Sequence, residues 1–383
     1  MVGIKAVPSA RQVYYCSCEH GKKRWPAVVE SMASPAAPEA LDVRGHSRGV
    51  ELARDQRRWD ALVAAHREGG FLQSWAWGRF KQHFGWAPAR LILPLGRGAT
   101  PAVAQVLFRR LPYSPFTVGY LPRGPLLDYA DEVALAAMAR ALDRVARRYR
   151  AINITWELPI PEDPGLVSRL ARYHLRPTKG VQHGATRVID IAPPMEEVTT
   201  RQKPKWRSNT RLALKHGVRV RQAASSGDLK AWYSLLETTS SRDGFTVRGI
   251  DYYRHFWEST QGSGDTVLLL AEHEEALLAG IMVHRFAQEA TYLYGASSDA
   301  GRNLMPNHLL QAEAMRWAKE RGATRYDLFG IAASEDPADP LAGITRFKAG
   351  FGGEAIRYAG AFERVYHPLL HAAVQRARAG SLG

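Results

Sequence analysis

The sequence predicts a mixed α/β (α+β) fold built twice in tandem. Three observations lead there. A strand pair, a helix, a strand and an acidic loop occur in that order in both halves of the chain. Sliding the chain by 173 residues lays AINITWELPIPEDP over ATRYDLFGIAASEDP, with Trp156 over Phe329. The chain of 383 residues, 45% apolar and 23% charged, has the composition of two or three globular domains rather than of a disordered or fibrous protein.

Taken in order, the first element is a helix over 51–68 with Leu52, Trp59, Leu62 and Val63 on one side. A second helix runs from Gln73 to Phe84, where Trp77, Phe80, Lys81 and Phe84 recur at helical spacing. Short β-rich runs over 90–95 and 102–110, separated by Gly and Pro, read as paired strands. Residues 111–129 form a shaped loop around one strand. Residues 130–149 form a helix with Val133, Ala137, Leu142 and Val145 inward, and a strand over 151–159 leads to the loop EDP. A strand over 187–194 is closed by prolines and marks a boundary. In the second half, a helix over 306–321 opens on Pro306 and stops at Gly322, the residue types that suit those ends. The strand 325–331 and a second EDP loop follow, and a short amphipathic helix over 368–380 closes the chain.

Charge points to the class of partner. Fifty-two Lys and Arg against 37 Asp and Glu give a net +15, which suits a polyanion: nucleic acid, an acidic membrane face or a phosphorylated substrate. Cys16 and Cys18, one residue apart, are the two cysteines, so a disulfide scaffold is excluded and a reducing compartment is expected. No uncharged apolar run approaches the ~18–20 residues of a membrane span, and the first fifty residues lack the apolar core of a secretory signal. Residues 1–46, broken by Pro8, Pro26, Pro35 and Pro38, read as a disordered leader, and Met32 is an alternative start.

Several stretches carry chemistry. From Val198 to Gly227 there is no Asp or Glu, while Arg201, Lys203, Lys205, Arg207, Arg211, Lys215, Arg219 and Arg221 follow one another. A helix opened by Pro204 and closed by Gly217 lines up Arg207, Arg211 and Lys215 at four-residue spacing, with Trp206, Thr210 and Ala213 on other faces. Such a stripe fits an external anion with many phosphates; the bland reading is a solvated face. In RDGFTVRGIDYY (242–253), Thr246 and Arg248 project to one side of an extended segment and Tyr252 opens a helix. Arg248 is suited to grip a diphosphate or carboxylate as a fork. Lys81, on an aromatic helix, either snorkels or turns its head into a cleft as an anion contact. The run 290–310 is a strand feeding a helix, but with Gly301 as the one glycine between Ser297 and Asn307 it is a poor pyrophosphate loop. In ITRFKAGFGG (344–353), glycines allow close backbone approach, and Lys348 beside that turn could meet developing negative charge. Asp128 and Asp327, at strand or loop ends, are the carboxylates considered as a base. There is no nucleophile triad, no H-E-x-x-H and no Walker loop.

Together FLQSWAWGRFK, YLPRGPLLDY, KWRSNTRLALKHGV, RDGFTVRGIDYY, YLYGASS, NHLLQAEAMRWAKERGATRYDLFGI and ITRFKAGFGG, in this order over about residues 50 to 365, resemble the Fem family of peptidyltransferases that build the interpeptide bridges of bacterial peptidoglycan. The resemblance implies two GNAT-like acyltransferase domains, 47–188 (completed by 355–383) and 189–354, without the coiled-coil arm of some members. It implies aminoacyl-tRNA as donor and, as acceptor, the stem-peptide amine of UDP-MurNAc-pentapeptide or lipid II. Residue by residue, it places Lys81, Thr246, Arg248, Tyr252 and Tyr294 at the acceptor and Phe347 and Lys348 at the reacting ester. Lys205, Arg207, Arg211 and Lys215 fall to the tRNA. It implies no cofactor and no metal, a monomer, and a cytoplasmic place of work with peripheral contact at the inner membrane face. Two rivals stand beside it: an acyl-CoA-dependent N-acyltransferase on the same fold, and a non-catalytic RNA-binding protein.

Overall fold

The computed structural model describes residues 50–96 and 98–380; the leader reading of residues 1–46 lies outside them. The chain divides into two compact units, residues 185–355 forming the second and residues 50–184 with 356–380 the first. Among the described residues, no helix is long and apolar enough to cross a membrane.

The first unit is one sheet of seven described strands: β1 (Glu51–Leu52), β2 (Trp86–Leu93), β3 (Ala102–Arg110), β4 (Thr117–Leu121), β5 (Ala151–Glu157), then β14 (Ala361–Val365) and, at the edge, β6 (Arg176–Thr178). The first helix, α1 (Gln56–Ala65), starts later than its periodicity predicts. Glu51 and Leu52 pair instead with Ile92 and Leu91, and the Asp55 side chain accepts from the Arg58 N–H at 2.7 Å, capping the helix there. The next helix, α2 (Trp75–His83), is capped by Ser74. The crossover helix α3 (Glu132–Arg148) is capped by Asp131, with Arg147 and Arg148 in its last turn. Its inward face is Leu135, Met138, Leu142 and Ala146, whereas Val133 is 78% exposed. The phase is corrected because Val133 sits two positions, about 200° of rotation, from Leu135. Helix α3 packs through this face on Leu91, Ala104, Val106, Ile154 and Trp156.

A buried polar network fixes the start of α2. Gln73 donates to the Pro122 carbonyl at 2.6 Å and accepts from the Gln105 N–H at 2.7 Å. The Gln105 amide donates to the Ser74 carbonyl at 2.9 Å and accepts from Arg90 at 2.7 Å. Arg90 also reaches the Trp75 carbonyl and lies 3.7 Å from that ring's centroid. Burial lowers the Arg90 pKa to about 10, with the Asp60 charge acting the other way.

The second unit repeats the plan. Its sheet runs β13 (Glu354–Arg357), β7 (Ala185–Asp190), β12 (Arg325–Ile331), β11 (Glu289–Ser297), β10 (Ala276–Phe286), β9 (Thr266–His273), β8 (Arg219–Gln222). In both units three antiparallel strands lead through a crossover helix, α3 or α9 (Pro306–Glu320), to a parallel fourth, which an antiparallel fifth then flanks. The duplication therefore holds at the level of topology. The remaining helices of this unit are α5 (Met195–Thr200), α6 (Pro204–Lys215), α7 (Ser226–Asp243), α8 (Ile250–Gln261) and α10 (Ala342–Ala349). Helix α9 covers the face bearing Leu269, Ala271, Ile281 and Val283, and α7 sets Trp232 against Gly280 on the other.

The units differ where the parallel pair forms. In the first, β4 stays beside β5 from Thr117↔Ala151 to Leu121↔Trp156. In the second, β11 and β12 pair at Glu289↔Arg325, Ala290↔Tyr326 and Thr291↔Asp327, after which the ladder ends. Beyond that point β12 carries an irregularity between Asp327 and Gly330, with Phe329 at φ 61.

Replacing Gln105 by Leu leaves the buried Arg90 and the Ser74 carbonyl short of partners, while the main-chain bonds to Gln73 stay. A loss of about 1–3 kcal/mol in urea unfolding is expected. Unchanged stability would remove the network from the account of how α2 is held.

Candidate functional site

The irregular stretch of β12 is organised by two side chains. Asp327, buried, accepts from the Thr186 hydroxyl on β7 and from the Phe329 N–H at 2.7 Å. This fixes the left-handed turn at Phe329, which takes the carbonyls of Phe329 and Gly330 out of regular sheet pairing. Lys348 then donates from Nζ to the Phe329 carbonyl at 3.2 Å and the Gly330 carbonyl at 2.6 Å. Its ammonium lies 5.5 Å from the Tyr292 ring centroid. Burial lowers its pKa from an ordinary 10.5 to about 7, with the Asp327 charge pulling weakly the other way. The expected glycine turn at 344–353 is in fact α10, with Lys348 in its last turn and the glycines after it. The helix wins because 342–349 holds one glycine, at its start, and the run of glycines begins only at Gly350.

The basic helix is clamped to this place. The Trp206 indole N–H donates to the Phe347 carbonyl at 2.9 Å, and the Lys203 N–H donates to the Gly350 carbonyl at 2.9 Å. A Cβ on Gly350 would lie 2.0 Å from the Trp206 ring, so only glycine allows that approach. Phe347 packs edge-on against His308, which also meets Trp206. The His308 Nε2 accepts from the Asn209 side-chain amide nitrogen at 3.1 Å. Burial first, then the Lys205 charge, lowers its pKa to about 4, so the ring is neutral near pH 7. Neither Tyr292 nor His308 stood out in the sequence. The spacing Y-L-Y and the position of His308 just inside a Pro-started helix were the available signals.

The stripe on α6 is not uniform. Arg207 is half-buried and donates to the carbonyls of Thr200 at 2.7 Å and Gln202 at 3.1 Å, so it closes the end of α5. Lys205, Arg211 and Lys215 are exposed. The flanking arginines find carboxylates from outside the acid-free stretch: Arg201 pairs with Glu197, and Arg221 with Asp228 and Glu272.

A second group of candidates stands on the α7–α8 face of the same sheet. Opposite the Met282/Val283 step, β11 has one extra residue, Leu293, so Tyr294 pairs with Met282 while Tyr292 pairs with Val283. The bulge thus sends the two tyrosines to opposite faces. Tyr294 meets Tyr253 edge-on at 5.0 Å, and Tyr253 meets Tyr252 at 5.6 Å. Arg248 lies 5.8 Å from the Tyr252 ring centroid, its N–H donating to the Tyr253 hydroxyl at 3.3 Å. Arg248, Tyr252 and Tyr294 therefore share one cluster, with Thr246 exposed on the extended segment leading to it. Tyr252 is buried, only 7% exposed, so its ring is not an open stacking face. Phe347 and Lys348 belong to the opposite face, and the parting of β11 from β12 is the break in the sheet between the two groups.

Lys81 belongs to the first unit. It is buried in the last turn of α2, 5.5 Å from the centroids of both Trp77 and Trp86. Of the carboxylates considered as a base, Asp128 is exposed and caps the Ala130 N–H, and Asp327 is engaged in the bulge. Neither is placed as a base.

Comparison with known proteins now decides the family. The FemAB family pattern matches residues 55–161, 169–273 and 266–378. The chain belongs to the FemAB family. Relatives include the Lipid II:glycine glycyltransferase of Staphylococcus haemolyticus, 26% identical over 393 residues, covering 83% of this chain and 93% of that one. The protein of the same name from Staphylococcus aureus is 26% identical over 396 residues, with the same coverage. Among solved structures, FemX superposes with a TM-score of 0.75 at 25% identity, over 85% of this chain and 99% of that one. A tandem GNAT protein from the clavulanic acid biosynthesis pathway, with a TM-score of 0.51 at 12% identity over 82% of this chain and 98% of that one, shares the fold. The FemAB chain is thus a tandem GNAT-like enzyme of the aminoacyltransferase class.

The Lys348 shift has a signed consequence for stability. Between pH 7 and 10.5 the unfolded chain binds more protons at this lysine than the folded FemAB chain does. Folding stability should therefore rise with pH across that window relative to Lys348→Met, by up to about 1.4 kcal/mol per unit. Urea unfolding of both chains at several pH values reads the difference; parallel curves would show that the amine is not buried as described.

Proposed function

We propose that this FemAB chain transfers an amino acid from aminoacyl-tRNA to the stem-peptide amine of a peptidoglycan precursor, lipid II in preference to UDP-MurNAc-pentapeptide. The observation that carries the reading is the buried Lys348 ammonium, held on two carbonyls where β11 and β12 part, beside Phe347. The name of the glycyltransferase relatives favours the lipid-linked acceptor.

In this reading the acceptor amine attacks the ester carbonyl joining the amino acid to the tRNA 3′ oxygen. A C–N bond forms, the carbonyl oxygen takes up negative charge, and the C–O bond then breaks. The departing 3′ oxygen gains the proton that the amine loses. The donor ester is already activated, so positioning and oxyanion stabilisation carry the rate. Two N–H groups of Lys348 go to the Phe329 and Gly330 carbonyls; the third meets the oxyanion. Phe347, packed on His308 and Trp206, shapes the site around the ester. Arg248, Tyr252, Tyr294 and Thr246 hold the acceptor on the other face of the sheet, and Lys81 contacts its phosphate region. Lys205, Arg211 and Lys215 take tRNA phosphates, while Arg207 fixes α6 to α5. Because Trp206 ties α6 to α10, tRNA on α6 is held in register with Lys348.

Lys348→Ala is expected to cut turnover at least a hundredfold with acceptor affinity kept, an effect of the size seen when one oxyanion donor is removed. Transfer from a pool of charged tRNAs to lipid II, read by mass, measures it, and full turnover would exclude Lys348 from the chemistry. Arg248→Ala should weaken acceptor binding by about 1.5–3 kcal/mol, roughly tenfold or more; equal affinity by calorimetry would move the acceptor elsewhere. Replacing Lys205, Arg211 and Lys215 together by Ala should flatten the salt dependence of tRNA binding by about 2–3 in slope. An unaltered slope would return the helix face to solvent.

A further inference from the structure

One end of the first sheet gathers three segments that lack any carboxylate: residues 105–121, 144–156 and 364–380. They converge through specific contacts. The Thr117 N–H donates to the Arg150 carbonyl at 3.0 Å, and the Thr117 hydroxyl to the Tyr149 carbonyl at 2.8 Å, tying the β3–β4 loop to the end of α3. Phe116 meets His367 edge-on at 5.2 Å, which sets the same loop against the start of α11 (Pro368–Gly380). The N–H groups of Tyr366 and His367 both donate to the Ile152 carbonyl on β5.

What this end presents is apolar tips together with exposed arginines. Tyr113, at the turn of the β3–β4 loop, is 97% exposed, and Leu369 and Leu370 on α11 are 88% and 37% exposed. Arg110, Arg147, Arg148, Arg150 and Arg376 are exposed on the same three segments. The carboxylates bordering the region are engaged: Asp143 with Arg364 and the Tyr366 hydroxyl, and Glu363 with His371 and Asn153. Exposed leucines and an aromatic tip among unneutralised arginines match the boundary of an anionic bilayer, where acyl chains take the apolar groups and lipid phosphates the cations. A nucleic acid would satisfy the arginines but leave Leu369 and Leu370 without a partner.

We infer that this end of the first unit, with Tyr113, Leu369 and Leu370 at its tips, docks on an anionic lipid surface. Lys81 sits near it: Lys81 lies against Trp86, which pairs with Arg109 at this same end of the sheet. Docking would therefore bring the acceptor-side lysine close to lipid phosphates. That purpose rests on the lipid-linked acceptor proposed above; the surface itself does not.

The test is co-sedimentation of the full chain with vesicles of phosphatidylcholine alone or with phosphatidylglycerol added. Binding should appear only with phosphatidylglycerol and fall with salt. Replacing Tyr113, Leu369 and Leu370 together by Ser, or Arg110 and Arg148 together by Ala, should lower the partition coefficient at least tenfold. Circular dichroism and transfer to a water-soluble acceptor should stay as in the parent chain. Equal binding to both vesicles, no binding to either, or full binding by the Ser variant would overturn the proposal. So would a change from dimer to monomer in the Ser variant by sedimentation, or loss of RNA affinity in place of vesicle affinity. Vesicle binding is read without catalysis, so failure of the proposed reaction cannot imitate any of these results.

Discussion

A lysine ammonium taken out of water loses several kcal/mol of hydration unless the protein supplies acceptors for it. Lys348 is supplied by the carbonyls of Phe329 and Gly330, and those carbonyls are available only because β12 leaves the β11 ladder after Asp327. The departure is held in turn by Asp327, whose carboxylate takes the Phe329 N–H and the Thr186 hydroxyl. A regular parallel strand would have used the same carbonyls for sheet pairing and left the lysine with nothing. The parting of the strands, the left-handed Phe329 and the depressed lysine are thus one arrangement.

The first unit shows the alternative on the same topology. There β4 and β5 remain paired to Leu121 and Trp156. Glu157 stands where the 173-residue offset puts Gly330. Its carboxylate accepts from the Tyr120 hydroxyl and from the N–H groups of Val181 and Gln182, so a loop is strapped over the place the second unit leaves open. Duplicated sheets have therefore diverged at one strand pair: closed and tied down in one copy, parted around a lysine in the other. The first unit instead invests its buried polar groups in Gln73, Gln105 and Arg90, which hold the helix that carries Lys81.

Helix α6 was legible as a basic helix but not as a part of the site. Its periodicity predicted a cationic stripe, and Lys205, Arg211 and Lys215 are exposed as a stripe requires. Arg207 fits the same spacing yet caps α5, because carbonyls left unsatisfied at that helix end lie within reach of its fork. Trp206, one position earlier, connects the helix to Phe347 and to the one residue, Gly350, small enough to receive its ring. Spacing along a helix states which side chains share a face; it does not state what the face meets.

The sequence by itself determined the periodic elements, the repeated order of strand and helix, the excess of positive charge and the family motifs, since each of these depends on residues near one another in the chain. It also brought Arg248, Tyr252 and Lys348 to notice as residue types suited to anion binding, stacking and charge stabilisation, and the family resemblance added Phe347 and Tyr294. Tertiary structure decided the rest. An extra residue in β11 sent Tyr292 and Tyr294 to opposite faces, and the end of a ladder between strands more than thirty residues apart in sequence created the place where Lys348 is buried. Strand register and bulges are set by partners remote in sequence, so a side chain's face and solvation, which govern its chemistry, are fixed only when the sheet closes.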